Sequence, residues 1–420
     1  MKSQDTKKMI LILGMMAFFC NGDNYAAAPL IVEIARDLHL DISQAALSIS
    51  AYMLPFGFFT LLFGPIADRY GKARIINIAA FGTAIFSGLG AVAFNLASLS
   101  IIRAINGAFA AAILPVTMSF IGDQLDGDHK KIQSTFGKVI GIAFLGGAAA
   151  TAIGGALAHI GSWRLVYLFY GVAELGIACV MLKILKKQPG TASTLNFQIA
   201  YREAFANVKL LKIASIISLM GLTVFGSFAF AGKYVEVQTG YNILLVGLIL
   251  TCFGLATVLG GKTVGVLRRK LGNRLFFIAG MLACVSWGLM GAWQSPYLLA
   301  LSLAGLGFGT IAIHPTLIAT AQQLMPRRRG TVMSLASFAM FTGGGIGTYL
   351  NGQIVAAWGF EPVFVIAGAL IFVAGAAATA LMRGITHDYP SMRLVGSDVA
   401  PGNLQAAYVR EEEMLSHDSR

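Results

Sequence analysis

The sequence predicts an all-α membrane protein: twelve transmembrane helices in two pseudo-symmetric six-helix bundles, with the N- and C-termini both cytoplasmic. Three observations lead there. First, 56% of the 420 residues are hydrophobic and 12% are charged, where a soluble domain carries about 25% charge. Second, the apolar residues fall in runs long enough to cross the roughly 30 Å hydrocarbon core, which takes about 20 helical residues. Third, the loop Gly64-Pro65-Ile66-Ala67-Asp68-Arg69-Tyr70-Gly71-Lys72-Ala73-Arg74 returns in looser form about two hundred residues later as Gly265-Val266-Leu267-Arg268-Arg269-Lys270-Leu271-Gly272-Asn273-Arg274.

In chain order the apolar runs cover 9–32, 44–66, 75–95, 98–121, 134–158, 163–185, 210–234, 243–267, 275–293, 296–321, 332–356 and 361–383. A membrane β-barrel would instead show alternating segments of about ten residues. Lys7, Lys8 and the apolar stretch after them look like a signal peptide. The run continues past Asp23 to Ile34, however, and reads as a retained first helix. The longest internal polar stretch separates runs six and seven. It divides the chain into an N-terminal six-helix bundle over 1–187, a cytoplasmic linker over 188–208 and a C-terminal six-helix bundle over 209–385. A short amphipathic helix is expected around Phe197 to Val208, lying on the inner surface. Residues 386–420 are polar, end on an acidic cluster and read as a disordered cytoplasmic tail.

Orientation follows from Lys and Arg. Alternate loops hold Lys7 and Lys8; Arg69, Lys72 and Arg74; Lys130 and Lys131; Lys183, Lys186 and Lys187; Arg268, Arg269, Lys270 and Arg274; and Arg327, Arg328 and Arg329. The intervening loops hold only Arg36, Arg164 and Lys233. The basic set faces the cytoplasm.

The net charge of +12 therefore serves orientation, and no nucleic-acid partner is expected. Cys20, Cys179, Cys252 and Cys284 lie inside apolar runs without metal-site spacing and read as small apolar fillers. No Walker A loop or hydrolase motif is present. The expectation is a monomer that is not an enzyme, with no metal and no cofactor, spanning the plasma (inner) membrane many times.

The halves also echo each other elsewhere. Gly154-Gly155 with Ser162-Trp163-Arg164 parallels Gly343-Gly344-Gly345 and Gly347 with Trp358-Gly359-Phe360. Repeats related by an axis along the membrane normal place a cavity between them.

These residues resemble the major facilitator superfamily, over essentially all of the chain except the tail. That family carries Gly-x-x-x-Asp-Arg-x-Gly-Arg/Lys between its second and third helices, here Gly64, Asp68, Arg69, Gly71 and Lys72. Its Arg-x-x-x-Gly signature in helix four appears as Arg103 and Gly107. The antiporter signature of helix five, Gly-x8-Gly-x3-Gly-Pro-x2-Gly-Gly, is matched by Gly137, Gly146, Gly154 and Gly155, with Ala150-Thr151 in place of Gly-Pro. Asp23 to Pro29 and Ala51-Tyr52-Met53-Leu54 resemble the drug/proton antiporter branch. The resemblance implies a transporter working by alternating access.

It also implies a conformational latch at Gly64, Asp68, Arg69, Gly71, Lys72, Arg74 and Asp123. Asp68 would close the inner side against the N-terminus of run eleven near Gly330 to Val332, where the helix dipole favours a carboxylate. The second copy of the loop has Arg269 in that place.

Proton coupling is read from the residues. A carboxylate inside a membrane helix is costly unless it is paired, protonated or wet, and so marks function. Asp23 lies about 21–24 Å above the inner end of its helix, at about 1.5 Å per residue. Arg103 lies at a similar depth, about 22 Å up a core roughly 30 Å thick. Asp23 is expected to take up the proton with Arg103 tuning it; the alternative is a structural pair between helices one and four. Glu174 is either a second proton site or an acid in a wet groove at the outer surface of the bundle.

Expected cavity residues are Asn24, Tyr52, Asn106, Phe144, Phe225, Phe228, His314, Phe338 and Phe341, suited to an apolar or amphipathic small molecule. Gly107, Gly146, Gly154 and Gly155 are read as helix-packing positions. The functional expectation is a proton-coupled secondary active transporter, an efflux antiporter for small organic molecules or drugs. A proton symporter or uniporter for a metabolite is the alternative in the same class. A non-transporting sensor or lipid-handling scaffold is the alternative in another.

Overall fold

A computed structural model of the chain describes residues 3–125, 129–185, 197–292, 295–325 and 329–388. Among them every regular element is helical: α1 (Ser3–Asp37), α2 (Ile42–Tyr70), α3 (Lys72–Leu89, extended by a 3-10 turn Gly90–Val92), α4 (Leu96–Gln124), α5 (His129–Ile160), α6 (Trp163–Ile184), α7 (Phe197–Ala206), α8 (Val208–Met220), α9 (Gly226–Thr239), α10 (Ile243–Leu271), α11 (Arg274–Ala292), α12 (Pro296–Leu324), α13 (Arg329–Trp358) and α14 (Glu361–Asp388). A π-helical turn, Gly221–Phe225, joins α8 to α9.

The helices start and stop on local chemistry. The Asn95 side chain accepts from the Ser98 backbone N–H at 2.8 Å and opens α4. Asn207 and Asn242 cap α8 and α10 in the same way. Gly71 ends α2 at φ 94°, and Gly272 ends α10 at φ 56°. Both sit at the equivalent corner of the repeated loop, in a region that side chains with a Cβ rarely enter.

Among the described residues ten helices are long and apolar enough to cross a membrane, against twelve runs expected. Runs one and eleven, the 35-residue α1 and the 30-residue α13, account for the difference. Asn21, Asp23 and Asn24 interrupt α1; Gly343 to Gly345, Asn351 and Gln353 interrupt α13. Both pack against several neighbouring helices, α1 on α2, α5, α6 and α9, and α13 on α2, α8 and the π turn. Protein replaces lipid around them, so they need less apolar surface.

Equivalent glycines set the same close approaches in each half. A Cβ on Gly146 of α5 would fall 2.0 Å from the Phe18 carbonyl of α1, and one on Gly343 of α13 would fall 2.1 Å from the Ser218 carbonyl of α8. A Cβ on Gly107 would fall 2.2 Å from the Tyr52 carbonyl, and one on Gly307 2.2 Å from that of Phe253. Gly171 packs on Gly88, and Gly375 on Gly280. Small residues at such crossings let backbones approach and gain dispersion contact.

Between the halves, α2 runs along α13 from Ser43 beside Gly352 to Gly64 beside Ser334. The α5–α10 and α1–α9 approaches lie away from the basic loops. A Cβ on Gly247 would fall 2.4 Å from the Thr151 carbonyl, and one on Gly232 3.0 Å from that of Ala28. The linker helix α7 packs on α2 and α13. The Tyr201 hydroxyl donates to the Leu61 carbonyl at 2.7 Å. Of the expected linker, 188–196 lies outside the described residues. Of the expected tail 386–420, residues 386–388 are the last turn of α14, and 389–420 lie outside the described residues.

Candidate functional site

Asp23, Arg103 and Glu174 come together inside the N-terminal half. They arrive from α1, α4 and α6 and are 2%, 1% and 0% exposed. Arg103 Nη1 donates to Asp23 Oδ1 at 3.3 Å, and Asn106 Nδ2 donates to Asp23 Oδ2 at 2.7 Å. Arg103 and Asn106 are three apart on α4, so one face of that helix presents both. The Thr83 hydroxyl of α3 in turn donates to Asn106 Oδ1 at 2.6 Å. The guanidinium lies 4.2 Å from the centre of the Tyr52 ring and 5.5 Å from that of Tyr167, which stabilises a cation away from water. Removing one partner of such a buried pair costs about 3–5 kcal/mol, because the other charge is stranded.

Glu174 is enclosed, and the wet-groove alternative is therefore corrected. It faces inward beside Thr83, and neither carboxyl oxygen has a hydrogen-bond partner among the described residues. Arg103 Nε and Nη2 and the hydroxyls of Tyr167, Tyr170 and Ser87 are also buried without a partner. Thr83, Tyr167 and Tyr170 were not singled out from the sequence. A buried hydroxyl on a helix has no sequence signal of its own.

The C-terminal half lacks this cluster. Carrying the register of the matched glycine crossings along the helices sets Thr223 opposite Asp23, Leu303 opposite Arg103, Leu306 opposite Asn106, Leu275 opposite Thr83 and Ala378 opposite Glu174. All five are buried. One half of the repeat thus keeps an apolar core where the other keeps its charges.

A small cleft lies between the halves, lined by Asn24, Tyr25, Ala28, Ile49, Met53, Phe225, Phe228 and Ala229. Aromatic rings continue from it across the interface. Tyr25 meets Phe225 edge-on at 5.5 Å, Phe341 stacks on Phe225 at 5.8 Å and on Phe56 at 3.8 Å, and Phe228 lies 4.9 Å from Phe253. Of the expected cavity residues, Asn24, Phe225 and Phe228 line the cleft and Phe341 adjoins it. Tyr52 and Asn106 do not: they are buried behind it, held by Arg103 and Asp23. Phe144, His314 and Phe338 are half-buried outside the lining. Tyr25 and Met53, which belong to the two antiporter-like segments but are not among the expected cavity residues, are part of it.

At the repeated loop, Lys72 Nζ lies 2.6 Å from Asp123 and 3.6 Å from Asp68. The Asp68 side chain is 49% exposed. Arg69 lies over the Tyr70 ring at 5.3 Å, and Arg74 is exposed. A Cβ on Gly64 would lie 4.0 Å from Ser334 Oγ of α13. Among the packing glycines, Gly107, Gly146 and Gly154 (whose Cβ would fall 3.2 Å from the Ala26 carbonyl) serve contacts within the N-terminal half. Gly155 faces Ile243 across the halves, where a Cβ would fall 2.7 Å from the Ile243 carbonyl.

The family profile described as Major Facilitator Superfamily matches residues 13–348 and 211–394. The chain belongs to that family. It is a transporter, not an enzyme, and a multi-pass plasma-membrane protein. It is 27% identical over 80% of its length to the uncharacterized MFS-type transporter YceJ of Bacillus subtilis, covering 86% of that protein. It is 25% identical over 76% of its length to the multi-drug resistance efflux pump PmrA of Streptococcus pneumoniae, covering 81% of it. It is also 25% identical over 92% of its length to a hexuronate transporter of B. subtilis, covering 96% of it. The crystal structure of a bacterial homologue of the human lysosomal transporter Spinster, inward-facing and unoccupied, shares the fold with a TM-score of 0.76 at 16% identity, covering 92% of this chain and 99% of that one.

Proposed function

We propose that the chain is a proton-coupled efflux antiporter for lipophilic small molecules, neutral or cationic, working by alternating access. The observation that carries this reading is the closed Asp23–Arg103 pair behind an aromatic cleft that no charged side chain lines. A buried, paired carboxylate exchanges a proton when its cation moves, and the cleft rewards apolar and aromatic surface.

In this reading the chain spans the membrane twelve times, α1 and α13 included and α8–α9 as one span, with both ends in the cytoplasm beside the basic loops. The α1–α9 and α5–α10 approaches lie at the end away from those loops, while α2 and α13 touch along their length; the first feature favours reading the molecule as inward-facing. When the basic end closes, Asp68 leaves Lys72 for the N-terminus of α13. The dipole there favours a carboxylate by about 0.3–1 kcal/mol.

A second reading, symport of an anionic metabolite, is favoured by the similarity to a hexuronate transporter. It would need a cation facing the cleft. Arg103 is covered by Tyr52 and Tyr167, and the lining residues carry no charge. A non-transporting scaffold has no use for intramembrane charges that cost several kcal/mol each.

The test is flux of ethidium, a lipophilic fluorescent cation, in proteoliposomes with an imposed pH gradient. Dye is expected to move against protons in the wild type and to lose its dependence on the gradient in Asp23→Asn. Gradient-independent dye movement, or full coupling in Asp23→Asn, defeats the proposal.

A further inference from the structure

Two acids and one base share the compartment inside the N-terminal half, and the donors around them are unequally divided. Asp23 receives hydrogen bonds from Arg103 at 3.3 Å and from Asn106 at 2.7 Å. Glu174 receives none from the described residues. Thr83 is the hydroxyl beside it, but the Thr83 proton is committed to Asn106 Oδ1 at 2.6 Å, and both Glu174 oxygens are left without a donor. The titratable neighbours facing Glu174 are Cys20 and Asp23 from α1, Tyr52 from α2 and Arg103 from α4, with Tyr170 on its own helix. None of these except Arg103 is a cation. With both carboxyls ionised the compartment would hold an uncompensated negative charge out of reach of water. With one of them protonated it is neutral.

We infer that this compartment holds a single exchangeable carboxyl proton, that Glu174 carries it in the present state, and that Thr83 and Asn106 decide which acid does. As the neutral acid, Glu174 donates its O–H to the free lone pairs of Thr83 Oγ. The chain of bonds then runs in one direction: Glu174 to Thr83, Thr83 to Asn106, Asn106 to Asp23. Asp23 remains the anion because both of its oxygens accept.

The opposite state has the proton on Asp23. One O–H bond breaks at Glu174 and one forms at Asp23, with the negative charge moving the other way. Arg103 keeps Nε and Nη2 unpartnered among the described residues, and these are the donors a Glu174 carboxylate would use. The guanidinium thus serves either acid without a change in total charge. The site carries one proton in each state, and exchange with the outside is a separate event at whichever acid is exposed. Thr83 and Asn106 are positioning residues in this scheme. The inference rests on the proton-coupled reading for its use in transport; the protonation state stands by itself.

Infrared spectroscopy of the purified full chain in lipid at neutral pH, without substrate, tests it. The carboxylic-acid carbonyl stretch present in the wild type is expected to be lost in Glu174→Gln. It should move to higher frequency in Thr83→Val, which removes the acceptor, and return in Thr83→Ser. It should also be lost in Asp23→Asn while the carboxylate signal stays undiminished, because Glu174 then ionises to balance Arg103 and takes the place of the carboxylate removed at Asp23. A Glu174→Gln protein that keeps the acid band, or loses a carboxylate band instead, overturns the assignment. So does an acid band that persists in Asp23→Asn. Should Asp23→Asn fail to fold, the Thr83→Val and Thr83→Ser pair still decides, since a band indifferent to both overturns the proposed hydrogen-bond order. Failure to transport ethidium would leave these spectra unchanged, so the two proposals fail separately.

Discussion

Arg36 of α1 reaches Glu236 of α9 across the two halves, Nη2 to Oε1 at 3.3 Å. Glu33 and Lys233 complete the cluster at 2.9 Å from Arg36 and Glu236 respectively. The Arg36 side chain is 63% exposed, so water and salt screen the pair, and an exposed pair contributes about 0.2–1 kcal/mol. That still biases a balanced conformational equilibrium by about 1.5–5-fold. Arg36→Ala is expected to raise, by that factor, the rate at which an impermeant maleimide labels a cysteine placed at Ala28 in a background without the native cysteines. An unchanged rate would mean that the pair does not hold this end shut.

Gly146 and Gly107 are predicted to tolerate no side chain. Their Cβ atoms would fall 2.0 and 2.2 Å from backbone carbonyls, which have no rotamer to move. Gly146→Ala and Gly107→Ala should each cost about 1–3 kcal/mol as overpacked contacts and lower the melting temperature in detergent. Gly141 has nothing within 4 Å of its Cβ position. There Gly141→Ala should be neutral or stabilising, since alanine favours a helix by about 0.8–1.0 kcal/mol over glycine.

Asp37 ties the end of α1 to the start of α6. Arg164 Nη1 and Trp163 Nε1 both donate to its Oδ2, the latter at 3.1 Å. The Arg164 hydrogen bond, more than the Trp163 one, holds the Asp37 carboxyl below its usual range. A depressed carboxylate contributes stability above its unfolded pKa, near 3.9, and loses it as the pH falls through the folded value. Thermal melts should therefore drop below about pH 4 with a slope that Asp37→Asn flattens. High salt should shrink the effect, because the carboxylate is 45% exposed.

Tyr201 anchors α7 to α2 through Leu61. Burial pushes its phenol up to about 12. A raised folded pKa contributes stability that is complete below the unfolded value, near 10, and is lost as the pH rises through the folded one. Hydrogen exchange over 197–206 should accelerate between about pH 10 and pH 12, and at neutral pH in Tyr201→Phe, where the lost bond costs about 0.5–1.5 kcal/mol. Equal protection in Tyr201→Phe would show that apolar packing alone docks α7.

The sequence by itself determined the class. Apolar runs of spanning length, basic loops on alternate turns and the repeated Gly64–Arg74 loop are local patterns set by bilayer thickness and loop charge, which need no knowledge of neighbours. It also brought Asp23 and Arg103 to one depth, because rise per residue is fixed in a helix. Tertiary structure decided what lies beside what. Asn106 and Tyr52 turned away from the cleft into the cluster around Asp23, and Glu174 turned inward to Thr83. Tyr25 and Met53 turned toward the cleft. Which way a face of a membrane helix points depends on the partners that cover it. In a chain this apolar, lipid, core and cavity faces have nearly the same composition, so the choice is made by close crossings such as Gly107 on Tyr52 and Gly146 on Phe18.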